Sequence, residues 1–172
     1  MAIPVQLNGP ISPREALTIH LRDQHAIARG VLSLAQRAAA NQRGTSSEPE
    51  LDRLVSDLHE DQRALLRAMR QVGTSPSLVK TYGAQLGERA GRLKLNGQVR
   101  GSSPLSPVVE LEGLLDGLTA GHNVWVVLRD HAGVALEEVD AARMVERKVD
   151  QLDRVRALWH DAARSAFSDH DS

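Results

Sequence analysis

The spacing of apolar residues is the feature that most limits how this chain can fold. Apolar residues recur every three to four positions in four long segments, and no segment alternates apolar and polar residues as a half-buried strand does. Clusters of Gly, Ser, Thr and Pro separate the segments at residues 44–47, 73–76 and 101–104. The pattern predicts an all-α protein whose four long helices cover about residues 12–40, residues 48–71, a stretch that begins after Pro107, and residues 136–167.

Local signals mark the first helix and the inner faces. Ser12, Pro13 and Glu15 form a capping box, which predicts a helix start at this point. The residues expected to face the core are Leu17, Leu21, Gln24, Ile27, Ala28, Val31 and Leu34, then Leu51, Leu54, Leu58, Leu65 and Met69, then Leu111, Leu115, Leu118, His122 and Trp125, and finally Val145, Val149, Leu152, Val155 and Trp159. Residues 124–128 are rich in β-branched side chains, but no second strand could pair with them, so we expect a helix here as well.

The lengths of the connections predict how the helices are arranged. Short connections join the first helix to the second and the third to the fourth, whereas residues 72–107 separate the second from the third and contain a shorter predicted helix at about 77–95. Two antiparallel hairpins joined by one long crossover make a ferritin-like four-helix bundle. We therefore predict a ferritin-like bundle with a fifth, shorter helix in the crossover. Its parts would be an N-terminal extension at 1–11, one helical domain at 12–167 and a frayed tail at 168–172.

Composition excludes several classes of function. The chain has no cysteine, so disulfides, thiolate nucleophiles and cysteine-based metal sites are absent. No uncharged stretch reaches the roughly 20 apolar residues of a membrane-spanning helix, and the N-terminus does not resemble a signal peptide. We therefore expect a cytoplasmic protein with no membrane partner. A net charge of −1 and only two Trp, one Tyr and one Phe argue against nucleic acid as a partner.

Two stripes of glycine recur at helical spacing. The first is Gly83, Gly87 and Gly91 in the predicted crossover helix, and the second is Gly113, Gly117 and Gly121 in the third long helix. Glycine destabilises a helix by about 1 kcal/mol relative to alanine, so we predict that these residues allow another helix to approach closely. Space for a ligand is the alternative interpretation.

Polar residues on the inner faces raise the question of a metal site. Ferritin-like metal proteins use Glu on two helices and Glu-x-x-His on the other two, and no Glu in this chain begins that motif. We therefore predict no cofactor, and we interpret the inner polar residues as a hydrogen-bonded core network. These residues are His20, Gln24, Asp61 or Gln62, and His122. The alternative is one iron, manganese or zinc ion held by Glu60, His122, and either His20 or His59.

The crossover carries a local excess of positive charge. Its basic residues are Lys80, Arg89, Arg92, Lys94 and Arg100. Glu88 is the only acid among them, so this segment is a basic patch. We interpret it as a solvated helix face, with weak binding of an anion or of nucleic acid as the alternative.

Three short stretches resemble a known family. Residues 58–67 (LHEDQRALLR), 80–88 (KTYGAQLGE) and 121–124 (GHNV) are similar to segments of the YciE/YciF-type ferritin-like stress proteins. The resemblance implies a ferritin-like fold and dimerisation through long helices. Only Glu60 and His122 match the metal-ligand pattern of that family, because Arg63, Gly121 and Val124 stand where it has further ligands. The resemblance therefore implies a protein that lacks the di-metal centre.

These observations together predict a non-enzymatic, stress-related helical bundle. We expect it to act as a homodimer or through an unknown protein partner. A metal-binding ferritin-like protein is the first alternative, and weak binding of nucleic acid through the basic patch is the second.

Overall fold

The computed structural model describes residues 11–76, 103–133 and 135–168, and four long helices account for most of them. The helices are α1 (Pro13–Asn41), α2 (Glu48–Val72), α3 (Leu105–Asp130) and α4 (Ala141–Phe167). The described residues contain no strand, and residues 124–128 are helical within α3. The all-α prediction is therefore confirmed. The predicted crossover helix, its three glycines and the basic patch lie outside the described residues.

Capping interactions explain where α1 and α4 begin. Ser12 caps α1 as predicted, because its Oγ accepts a hydrogen bond from the backbone N–H of Glu15 at 3.2 Å. The predicted start of the last helix at Leu136 is wrong, since α4 begins at Ala141. Asp140 accepts a hydrogen bond from the backbone N–H of Arg143 at 3.0 Å and so caps the helix at that point. The preceding residues close the end of the core instead, where Val139 is buried.

Each helix packs against two others, but not equally closely. α1 packs against α2 and α3, and α3 packs against α4, while α2 and α4 approach each other less closely. Neighbouring helices are antiparallel, as shown by the contacts of His59 with Gln36, Gly117 with Val31, Glu110 with Asn41, Trp159 with Glu112, Asp61 with Lys148 and Glu50 with Arg154. α2 and α3 therefore lie on a diagonal and run in the same direction. The segment that connects them joins opposite ends of the bundle.

The core consists of two apolar clusters, one in each half of the bundle. The residues of α2 that were predicted to face inward (Leu51, Leu54, Leu58, Leu65 and Met69) are all buried. On α4 the prediction is partly wrong, because Val149 is 45% exposed whereas Lys148 and Gln151 are buried. On α2 one cluster ends at Leu58 and the other begins at Ala64. Polar side chains occupy the level between them.

Candidate functional site: a buried polar layer

Polar residues interrupt the apolar rows of α2 and α4 at the same level. The inner row of α2 is Leu51, Leu54, Leu58, Asp61, Leu65, Ala68 and Val72. The inner row of α4 is Met144, Lys148, Gln151, Val155, Leu158 and Ala162. Both rows alternate steps of three and four residues, which is the spacing of a coiled-coil seam. We call Asp61, Lys148 and Gln151 the polar layer.

The three side chains of the polar layer are hydrogen-bonded to one another. The ammonium of Lys148 donates to Asp61 Oδ2 at 2.6 Å and to Gln151 Oε1 at 2.8 Å. The amide of Gln151 donates to the same Oδ2 of Asp61 at 2.8 Å. The side chains of Lys148 and Asp61 are only 6% and 7% exposed. A buried charge is costly unless it is paired and hydrogen-bonded, and this arrangement provides both.

Gly121 of α3 makes room for the lysine. A Cβ atom added at this position would lie 3.2 Å from Lys148 Cε and 3.6 Å from its Cδ. The methylenes of Lys148 therefore pass directly over the backbone of α3. Any side chain at position 121 would push against them. Gly121 therefore leaves space for Lys148 as well as allowing the helices to pack closely.

Two arginines extend the layer into an ionic seam along α2 and α4. Arg147 Nε lies 2.8 Å from Asp61 Oδ1, and its guanidinium also contacts Asp57 at 3.0 Å and Glu60 at 2.9 Å. Arg154 bridges the same two helices two turns further along, through Glu50 and Asp57. Long side chains thus join the pair of neighbouring helices whose backbones approach least closely.

The electrostatics of the seam differ between its buried and its outer cations. Burial lowers the pKa of Lys148 below its ordinary value, even though the carboxylate of Asp61 opposes that shift. Burial acts on Arg147 in the same sense, but the carboxylates around this guanidinium outweigh burial and raise its pKa. The same balance raises the pKa of Arg154. Lys148 is therefore the cation of the seam whose protonation is easiest to lose.

The space beside the polar layer is too small for a substrate. The cavity there has a volume of about 30 Å³, and Gln24, Asp61, Gly121 and Lys148 are among the residues that line it. Such a volume accommodates an ordered water molecule, whereas pockets for small-molecule ligands measure about 300–1,000 Å³. The polar layer is built to hold helices together rather than to bind an organic molecule.

A larger groove of about 300 Å³ opens at the end of the bundle, beside the connection between α1 and α2. Its carboxylates already have partners. Glu110 accepts a hydrogen bond from Asn41 at 2.9 Å and lies 3.4 Å from Arg37, and Asp161 pairs with Arg164 at 3.3 Å. Both carboxylates that line the groove, among the described residues, are thus already in contact with a cation or an amide.

The four candidate metal ligands do not lie together in the structure. His59 faces α1, where its ring lies 3.5 Å from Gln36, whereas Glu60 faces α4 and pairs with Arg147. His122 contacts the neighbouring Asn123 at 3.3 Å. His20 Nε2 is buried and has no hydrogen-bond partner within the described ranges. No group of three His, Asp or Glu residues in these ranges is arranged to hold a metal ion.

The three glycines of α3 face two different helices. An added Cβ at Gly117 would lie 2.2 Å from Val31 Cγ2, and one at Gly113 would lie 2.9 Å from Leu34 Cδ2. These two glycines therefore meet side chains of α1, while Gly121 meets Lys148 of α4. Of the inner polar residues predicted from the sequence, Asp61 belongs to the polar layer, and Gln62 donates a hydrogen bond to the backbone oxygen of Ala28 at 3.0 Å.

Sequence reasoning missed Lys148 and Gln151 because both are polar. Apolar periodicity assigns the inner face of α4 to a row that includes Val149, which is exposed. A signal was present, because Met144, Lys148, Gln151 and Val155 continue the same steps of four and three residues. Asp61 interrupts the matching row of α2, and an acid in one row predicts a base in the row that packs against it.

Comparison with protein-family models, with curated proteins and with solved structures found no significant match. None of the four helices has a run of apolar residues long enough to cross a bilayer, as judged over the residues that the structure describes.

Proposed function

We propose that this protein is a non-catalytic, ferritin-like helical bundle that acts through its surface, by self-association or by contacts with a protein partner. The proposal includes the stress-related role that the YciE/YciF-type resemblance implies. The arrangement of the helices supports the ferritin-like part. Two antiparallel hairpins, α1–α2 and α3–α4, are joined by one long connection between opposite ends of the bundle, which is the connectivity of that class.

The observation that carries the proposal is the ammonium of Lys148 on the carboxylate of Asp61. Ferritin-like metal proteins direct carboxylates and imidazoles into the middle of the bundle. Here the middle holds an internal cation 2.6 Å from Asp61 Oδ2. This cation neutralises the carboxylate and would repel a divalent ion. The polar layer thus takes the place that a metal centre would need, and its role is to join α2 to α4.

Metal analysis tests this proposal. Protein purified without chelator should contain far less than one iron, manganese or zinc ion per chain when it is measured by inductively coupled plasma mass spectrometry. Arg156→Gln, a change at an exposed position, serves as the handling control. Stoichiometric metal in the wild type that is lost in His122→Ala or Glu60→Gln would overturn the proposal in favour of the metal-binding alternative.

A further inference from the structure

Two surface stripes of opposite charge have the same residue pattern. On the outer face of α2, Arg63, Leu66, Arg67 and Arg70 follow one another at steps of three, one and three residues. On the outer face of α4, Glu146, Val149, Asp150 and Asp153 follow at the same steps. We call them the basic stripe and the acidic stripe. Each presents an apolar side chain at its second position and charges at the other three.

The basic stripe is partly exposed, and its apolar residue, Leu66, is half-buried against the core. Arg63 and Arg70 are exposed and Arg67 is half-buried. None of these three arginines forms an ion pair with another residue of the described ranges.

The acidic stripe is also available to a partner. Glu146 is exposed, and the side chains of Asp150 and Asp153 are 59% and 65% exposed. Asp150 and Asp153 form ion pairs within α4, with Arg154 and Arg156. Such pairs at the surface contribute little stability, so these carboxylates can exchange partners at small cost. Val149, at the second position of the stripe, is 45% exposed.

We propose that the two stripes are the two halves of one interface, through which the basic stripe on α2 of one copy binds the acidic stripe on α4 of a second copy. This inference rests on the proposed function, because it names the partner and the surface of the self-association. Arg63 and Arg70 are seven residues apart, as are Glu146 and Asp153, so both pairs of charges are separated by about 10.5 Å along their helices. Leu66 and Val149 then supply an apolar contact between the charges. The net charge of −1 means that two copies repel each other little as they approach.

The position of the stripes is compatible with a two-fold dimer. Within one molecule Arg147 contacts Glu60, so the acidic stripe lies level with the part of α2 that precedes Arg63. The stripes are therefore staggered along the bundle. A two-fold axis perpendicular to the bundle exchanges the two levels, so it can bring each basic stripe onto the acidic stripe of the other copy. Such a dimer is closed, because the stripes of both copies are covered.

Neutralising one stripe at a time tests the interface. The first variant carries Arg63→Gln and Arg70→Gln, and the second carries Glu146→Gln and Asp153→Asn. We expect the wild type to form a dimer in sedimentation velocity and each variant alone to be monomeric. A mixture of the two variants should form a 1:1 dimer that is weaker than the wild-type dimer, since one variant retains the acidic stripe and the other the basic stripe, so that one contact of the two remains. Arg43→Gln with Glu138→Gln, which changes exposed charges outside both stripes, should behave as the wild type.

Salt gives an independent measurement. Raising the salt from about 0.05 M to about 0.5 M shortens the screening length from about 14 Å to about 4 Å, and it should lower the association constant of the wild type about tenfold or more. A monomeric wild type at low salt would overturn the interface, and so would oligomers that both variants still form. If both variants still form oligomers, this interface is wrong, but the self-association in the proposed function is not refuted. A monomeric wild type that binds duplex DNA through Arg63 and Arg70 would instead assign the basic stripe to nucleic acid.

Discussion

Replacing Lys148 with methionine should destabilise the fold more than breaking a surface ion pair would, because it takes the nearest cation away from the buried carboxylate of Asp61. In Lys148→Met the side chain keeps its length, but Asp61 loses the ammonium 2.6 Å away while it stays only 7% exposed. Breaking a buried pair by removing one partner costs about 3–5 kcal/mol. We expect about 3 kcal/mol, at the low end of this range, because Arg147 Nε and Gln151 Nε2 remain within 2.8 Å of the carboxylate.

The reverse substitution should cost more. In Asp61→Leu the buried ammonium of Lys148 keeps only Gln151 Oε1 as a partner, so we expect a loss of about 4 kcal/mol. The double variant leaves neither charge unpaired, and we expect it to lose at most about 2 kcal/mol. The free energies of unfolding can be measured with urea, using the fluorescence of the buried Trp125 and circular dichroism. A double variant that loses the full sum of about 7 kcal/mol would refute the coupling, as would single variants that lose less than about 1 kcal/mol.

The pH dependence of the same variant provides a second check. Burial lowers the pKa of Lys148 below 10.5, so between the lowered pKa and 10.5 the unfolded chain binds more protons than the folded one. The contribution of Lys148 to stability therefore rises with pH in this alkaline range. The difference in stability between the wild type and Lys148→Met should increase there. Parallel curves for the two proteins would show that Lys148 does not titrate as the burial requires.

Two further predictions concern packing and histidine titration. In Gly117→Ala the new Cβ would lie 2.2 Å from Val31 Cγ2, so we expect thermal and urea unfolding to show a loss of about 1–3 kcal/mol. Gly121→Ala, whose Cβ would lie 3.2 Å from its nearest neighbour, Lys148 Cε, is the matched control and should lose less. Equal or higher stability of Gly117→Ala would contradict this close approach. Burial, and to a smaller extent the charge of Arg29, lowers the pKa of His25 below 6.5, so its contribution to stability falls as the pH drops below 6.5. Titration by NMR should show that Arg29→Gln raises the pKa of His25 only part of the way back, and an unchanged value would rule out the contribution of Arg29.

The polar layer also explains how this bundle selects one alignment of α4. Shifting α4 by one heptad along α2 would place Lys148 beside Leu54 or Ala68 instead of Asp61. The ammonium would then be buried without a carboxylate, which is far more costly than the loss of an apolar contact. A single polar pair in an otherwise apolar seam is a known way of specifying register. We expect the two apolar clusters on either side of it to tolerate substitution better than the polar layer does.

The local sequence determined the helices and most of their ends. The start of α1 is encoded locally by Ser12, Pro13 and Glu15. The end of α2 lies at Gly73, whose φ is +80°, where the glycine cluster predicts a break. The periodicity of α2 also predicted its buried face, because apolar residues repeat there with few interruptions. These features depend on residues that are close together in the sequence, so they can be predicted without knowledge of the tertiary structure.

The inner face of α4 was decided only by the tertiary structure. Lys148 and Gln151 are polar, and periodicity alone assigns polar residues to the surface. They are buried because Asp61, 87 residues from Lys148 along the chain, reaches the same level of the bundle and satisfies both of them. A buried charge is stable only beside its partner, and only the packing of α4 against α2 creates that proximity.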